Sequence, residues 1–204
     1  QRIVNTQMPC IAVDAKQVGS MVKEIAKGNF MEFLDLQLWD NFTNTSINGS
    51  LICEIKDFEV MVSRLKDYAS KIDNWASCDL LKFKIKQNNK ADYFALSQEL
   101  IASEKPFVRR LGITILFKMV DDDNYIQRIF DIMNMFENET EYYVNMVIAW
   151  LFAECFIKQR EKTLVFLKLH KLNKFTINKG VQKCRDSFRV SAEDKEMLLM
   201  YKRK

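Results

Sequence analysis

Glycine and proline are scarce, five and two among 204 residues. So few turn-formers leave little room for the hairpins of a β-sandwich or the glycine-rich crossings of a doubly wound sheet. Histidine is rarer still: His170 stands alone, and one imidazole cannot build a histidine-rich metal site, so no metal and no cofactor is expected. The five cysteines, at 10, 53, 78, 155 and 184, are odd in number and widely spaced, without a C-x-x-C pair. That excludes a disulfide framework and a zinc cage, and fits a reducing compartment. Also missing are a phosphate-binding P-loop, a G-x-G-x-x-G turn and a G-x-S-x-G elbow, which removes the common nucleotide-binding and serine-hydrolase signatures. No apolar run approaches the roughly 20 residues of a membrane span. The start shows no charged, apolar and small leader, so the expected location is the cytoplasm. The Asn-x-Ser/Thr triplets at Asn41, Asn44, Asn48 and Asn138 then read as chance rather than as glycosylation acceptors.

What is present is apolar mass, enough at 48% of residues for a substantial core. Lys, Glu, Leu, Met and Phe supply long periodic runs of good helix formers. The expected fold is all-α, in a single domain over residues 1–204. The net charge of +4 hides an asymmetry. Residues 155–204 hold 14 Lys/Arg against 5 Asp/Glu, a local +9, whereas residues 1–154 hold 17 against 22, a local −5. A polyanion would dock at the basic end, although charge runs are often only solvated faces.

Several helices are marked by spacing. Pro106 opens one that runs to Met119 and buries Val108, Gly112, Ile115 and Met119. Asp121, Asp122 and Asp123 suit the cap and first turn of the next, which buries Ile126, Ile129, Phe130, Met133 and Phe136. A third runs from Tyr142 to Phe156 with Val144, Val147, Ile148, Leu151 and Cys155 as its stripe. Nearer the start, helices are expected over Ala15–Lys27, Phe30–Trp39 and Phe58–Ser70, with the polar NFTNTSINGS stretch as a loop and a cap. Val108, Val144 and Ile177 recur at offsets of 36 and 33, a period that belongs to stacked helix pairs. Extending back by 36 puts Ile72 at the head of a helix through NWASCDLLKF, for about four HEAT-like units in a curved solenoid.

On that last helix Trp75, Asp79, Lys82 and Lys86 follow at i, i+4, i+7 and i+11, a stripe of aromatic, acid, base and base. Two readings stand: Trp75 plugs a gap while Asp79 pairs with a lysine, or the stripe faces a ligand. Trp150 lies roughly 120° from the centre of its helix's apolar stripe. Arg110, one turn before the position that corresponds to Trp150 in the preceding repeat, is expected on the same side.

NWASCD, the VRR pair around Arg109 and Arg110, YYVNMVIAW and the late K-x-x-x-K-x-R-x-S segment together resemble the AlkD-like family of HEAT-like repeat alkylpurine DNA glycosylases, in a sub-branch with the NWAxCD form of the motif. The resemblance runs over nearly the whole chain. The family's Trp-x-x-x-Asp, then Arg, then Trp fall on Trp75, Asp79, Arg110 and Trp150, which are implied as the catalytic residues. It also implies excision of N3- and N7-alkylated purines from double-stranded DNA, with the backbone gripped and the base left out of any pocket. Asp79 and the two indoles would steady the cationic sugar, and Arg110 would hold a phosphate. Lys82, Lys86, Arg109, Lys179, Lys183, Arg185 and Arg189 are the candidate DNA contacts. No lysine is marked as desolvated, so strand cleavage through a Schiff base is not expected. A monomer is expected. The rival readings are a non-catalytic HEAT-like DNA-binding module and a protein scaffold.

Overall fold

The computed structural model describes residues 3–11 and 13–203. Among them the regular structure is entirely helical, with no strand. The chain forms two compact units, residues 1–89 and 90–204. No helix among the described residues is long and apolar enough to cross a membrane.

The first unit contains α1 (Ala15–Ile25), α2 (Phe30–Asp35), α3 (Phe42–Ile52), α4 (Phe58–Lys71) and α5 (Trp75–Asp79). Its centre is α3, against which α1, α2, α4 and α5 all pack. This corrects the expectation of a loop at NFTNTSINGS. Asn41 caps the helix through the Asn44 amide at 2.8 Å. Inside it, the hydroxyls of Thr45, Ser46 and Ser50 bond back to carbonyls one turn earlier, at 3.0, 2.7 and 2.9 Å. The Asn48 amide donates to the carbonyls of Leu38 and Asn44, both at 2.9 Å. Small polar side chains satisfied by their own helix can be buried at little cost, and residues of this size let neighbouring helices approach closely. Asn41 and Asn48 are therefore interior structural groups.

Sequence spacing also overextends α5. Ile72 is not a helix start: it follows α4 in extended geometry (φ −76°, ψ 139°), and α5 itself lasts only five residues. Lys82 and Lys86 lie beyond it, on non-helical backbone, so the four-residue stripe ends at Asp79. Likewise α2 ends at Asp35, four residues short of the expected Trp39.

The second unit contains α6 (Lys90–Ile101), α7 (Pro106–Leu116), α8 (Asp123–Asn134), α9 (Tyr142–Lys158), α10 (Arg160–Leu169), α11 (Lys174–Asp186) and α12 (Ala192–Met197), with a final 3-10 turn at Leu198–Tyr201. Here the repeat is visible. α7, α9 and α11 pack in sequence, and the equivalent residues Val108, Val144 and Ile177 are all buried. α6, α8 and α10 form a second row, joined by the Phe94–Tyr125 and Phe130–Phe166 ring pairs at 5.2 and 4.5 Å. Pro106 occupies the first turn of α7, and Asp122 caps α8, as the residue types require.

Two glycines permit close helix approaches, Gly112 between α7 and α6 and Gly180 between α11 and α9. A Cβ on Gly112 would lie 2.8 Å from the Ser97 carbonyl oxygen, and one on Gly180 would lie 2.6 Å from a ring carbon of Phe152. The first close approach carries a hydrogen bond, from Ser97 Oγ to the Gly112 carbonyl at 2.8 Å. The α9–α11 seam is polar at one end: Asn145 Oδ1 accepts from Asn173 at 2.9 Å and from Thr176 at 2.5 Å, while its amide donates to the Glu139 carbonyl at 3.0 Å.

Candidate active site

Each unit contributes two of the four expected catalytic residues: Trp75 and Asp79 to the first, Arg110 and Trp150 to the second.

A five-residue helix has little stability of its own, and α5 is held by its surroundings. Asn74, fully buried, accepts from the Ser77 amide at 2.9 Å and donates to Ser77 Oγ at 3.0 Å. Tyr68 Oη donates to the Ser77 carbonyl at 2.7 Å from inside the core. The N-terminal segment straps the other side. Trp75 Nε1 donates to the Ile3 carbonyl at 3.2 Å, and Asp73 accepts from Thr6 Oγ1 at 2.6 Å and the Gln7 amide at 2.7 Å. Burial works against ionisation of Asp73, but the bonds from Asn74, Thr6 and Gln7 outweigh it and hold its carboxyl below the usual range. With Ser77 and Cys78 turned into the core, Trp75 and Asp79 share the opposite, half-buried side, one turn apart.

In the second unit Arg110 is 4% exposed and its Nη1 donates to the Tyr143 carbonyl at 2.7 Å. It braces α7 against the first turn of α9. Trp150, two turns further along α9, is 44% exposed. Over its ring, 4.5 Å from the centroid, sits the ammonium of Lys183. The 33-residue offset that carries Val144 onto Ile177 also carries Trp150 onto Lys183, so this contact follows from the repeat. Both residues line a cleft of about 470 Å³ with Phe117, Glu154, Ile157 and Arg189.

A family model described as DNA alkylation repair enzyme matches residues 1–184. The chain belongs to that family. No curated protein and no solved structure matches it. Membership in the DNA alkylation repair enzyme family gives the chain a role in DNA repair and makes DNA its partner.

Among the basic residues of this family member, the structure separates internal braces from open cations. Arg109 grips Glu139 with two bonds at 3.0 and 3.2 Å and also donates to the carbonyls of Ser103 and Glu104. Its guanidinium is committed to the fold, which is not where a phosphate contact was expected to find it. Arg189 forms a bidentate pair with Glu154 at 2.7 and 3.1 Å, which raises its pKa. Arg185 stands 4.0 Å from Glu196. Lys179 lies 5.7 Å over the Phe175 ring. Lys82, Lys86 and Lys179 are exposed, and Lys183 is half-buried against its indole. The pairing of Arg189 with Glu154, 35 residues away, has no local signature, because it joins the turn after α11 to α9 across the helix row.

Proposed function

We propose that this chain is a DNA glycosylase that hydrolyses the N-glycosidic bond of cationic N3- and N7-alkylated purines in duplex DNA. The observation that carries the reading is the Trp75–Asp79 pair on one accessible side of α5, in a chain of the DNA alkylation repair enzyme family. Alkylation of a ring nitrogen makes the base cationic and a good leaving group. As the bond to C1′ breaks, the base departs with the bonding pair, and positive charge develops on the deoxyribose. A fixed carboxylate at Asp79 and the electron-rich face of Trp75, one turn apart on α5, are suited to stabilise that charge. Water then adds to C1′ and loses a proton, for which Asp79 is the acceptor, leaving an abasic site and the free alkylpurine. Water is the only co-reactant, so the reaction calls for no cofactor.

The cation that already rests on Trp150 supports the assigned role of its ring, since an indole that holds an ammonium at 4.5 Å has a face suited to positive charge. Arg110 takes a different role from the one its motif position implies. Buried and bonded to the Tyr143 carbonyl, it is a positioning residue that sets the first turn of α9, and hence Trp150.

The test is release of 7-methylguanine and 3-methyladenine from methylated duplex, with abasic sites appearing in equal amount. Duplex binding without release would instead assign the chain to the non-catalytic DNA-binding class. No affinity for any duplex would leave the scaffold reading.

A further inference from the structure

Residues 3–9 contain no helix, but hydrogen bonds tie them down along their length. Thr6, buried between exposed neighbours, donates from Oγ1 to Asp73 at 2.6 Å, and the same oxygen accepts from the Met8 amide at 3.1 Å. The Gln7 amide reaches the other Asp73 oxygen at 2.7 Å, and the Pro9 carbonyl accepts from the Phe42 amide, in the first turn of α3, at 2.9 Å. Asp73 also accepts from Asn74, the cap of α5, at 3.0 Å. Thr6, Asp73, Asn74 and Ser77 thus form one hydrogen-bonded chain from the segment into α5. Asn5 takes a left-handed φ of 53°, which asparagine tolerates. Beyond that turn lies the Ile3 carbonyl, which accepts from Trp75 Nε1 at 3.2 Å. Packing explains little of this arrangement, since Ile3 is 86% exposed and Gln7 and Pro9 are exposed too. An indole has a single N–H to give, so the carbonyl that receives it decides how the ring is turned.

We propose that this segment is a positioning element for Trp75: Thr6, anchored on Asp73, places the Ile3 carbonyl that fixes the indole on the side of α5 it shares with Asp79. This rests on the glycosylase reading and deepens it, by naming what holds the ring that faces the developing charge. A ring stabilises a cation only when it presents its face. Misplacement by about 1 Å, set by residues away from the chemistry, can cost on the order of 100-fold in rate. Trp75 depends on such support because α5 is five residues long and the side chain is only half-buried. Thr6 and Asp73 act through the Ile3 carbonyl and are positioning residues. The opposite arrangement, a lid that covers the indole and must leave before DNA binds, carries the opposite sign: loosening it would speed the reaction.

The experiment uses the full chain and follows release of 7-methylguanine from methylated duplex at saturating protein. Thr6→Val removes the hydroxyl at nearly the same shape and should slow release about tenfold, with duplex affinity unchanged, while Thr6→Ser should restore it. In a Trp75→Phe background, which has no indole N–H to hold, Thr6→Val should have no further effect. A loss that persists there would show that the clamp serves the fold in general, and overturns the proposal; so does faster release by Thr6→Val. Fluorine NMR of the chain labelled with 5-fluorotryptophan reports on the three tryptophans without any turnover. Thr6→Val should shift and broaden the Trp75 resonance and leave those of Trp39 and Trp150 in place; a fixed Trp75 resonance, or movement of all three, contradicts the assignment. Thermal melts of each variant check folding. Release by wild type with an equal rate in Thr6→Val sinks the positioning role alone, whereas no release by wild type sinks the glycosylase reading with it.

Discussion

At the scale of single residues, the distinction that matters is between side chains that hold the fold and those left able to meet a ligand. Arg110 illustrates the first. Replacing it by Ala leaves the Tyr143 carbonyl without its 2.7 Å donor in a nearly buried place, at a cost of about 1–3 kcal/mol. Denaturant unfolding checks this; unchanged stability would return Arg110 to a purely DNA-facing role. His170 provides a pH test. Its Nδ1 accepts from the Leu172 amide at 3.1 Å, which requires the neutral ring. Burial, and then the nearby Arg203 cation, hold its pKa below the ordinary 6.5. Because the folded pKa is the lower one, the unfolded chain takes up the proton first. This contribution is complete above about pH 6.5 and is lost as pH falls through that value toward the folded pKa. Melting temperatures of wild type and His170→Gln should therefore converge on acidification below pH 6.5; a constant difference from pH 8 to 5 would refute the assignment. Trp75, Asp79 and Trp150 were singled out through the family resemblance, since their spacing alone left two readings open. The commitments of Arg109 to Glu139 and Arg189 to Glu154 could not be read from the sequence, since each joins residues 30 or 35 positions apart.

At the scale of helices, α7, α8 and α9 were legible because their buried residues recur every three or four positions, with Pro106 opening the first and Asp122 capping the second. The failure at α3 has a definite cause. Up to Gly49 its buried side is, apart from Ile47, built from Thr, Ser, Asn and Gly, which a hydropathy pattern reads as loop although the Thr45 and Ser46 hydroxyls bond within the helix. The outer helices α6 and α10 are muted in the same way, with Ser97 and Thr163 fully buried. At α5 the apolar spacing continues through Leu80 and Phe83 while the helix stops at Asp79, and no Gly or Pro announces the end. Phe83 is buried from non-helical backbone. Close packing of the inner row gives the test at this scale. Gly180→Ala drives a methyl toward the buried ring of Phe152, and overpacking of this kind costs about 1–3 kcal/mol. Gly19→Ala, which meets nothing within 4 Å, should be neutral or slightly stabilising in the middle of α1. Equal effects of the two substitutions on thermal stability would contradict the close α9–α11 seam.

At the scale of the whole molecule, the charge imbalance and the catalytic residues make separate demands on DNA binding. The +9 of residues 155–204 overstates the field offered to a phosphate backbone, because Lys162 pairs with Asp123 and Arg189 with Glu154, carboxylates that lie outside that segment. Log affinity should fall by about 0.9 per phosphate neutralised as log salt rises. Removing Lys179 or Lys82 should reduce that slope by about one each, and removing the internally paired Arg109 should leave it unchanged. Binding measured across a salt series decides the point, with identical slopes for all three variants as the contrary result. Chemistry should separate from binding at Asp79. The most direct measurement is the single-turnover rate of 7-methylguanine release from duplex by wild type and Asp79→Asn, at equal DNA occupancy. The expected result is a loss of about 100- to 1,000-fold in rate with duplex affinity retained; equal rates at equal occupancy would show that the carboxylate on α5 does not stabilise the departing bond.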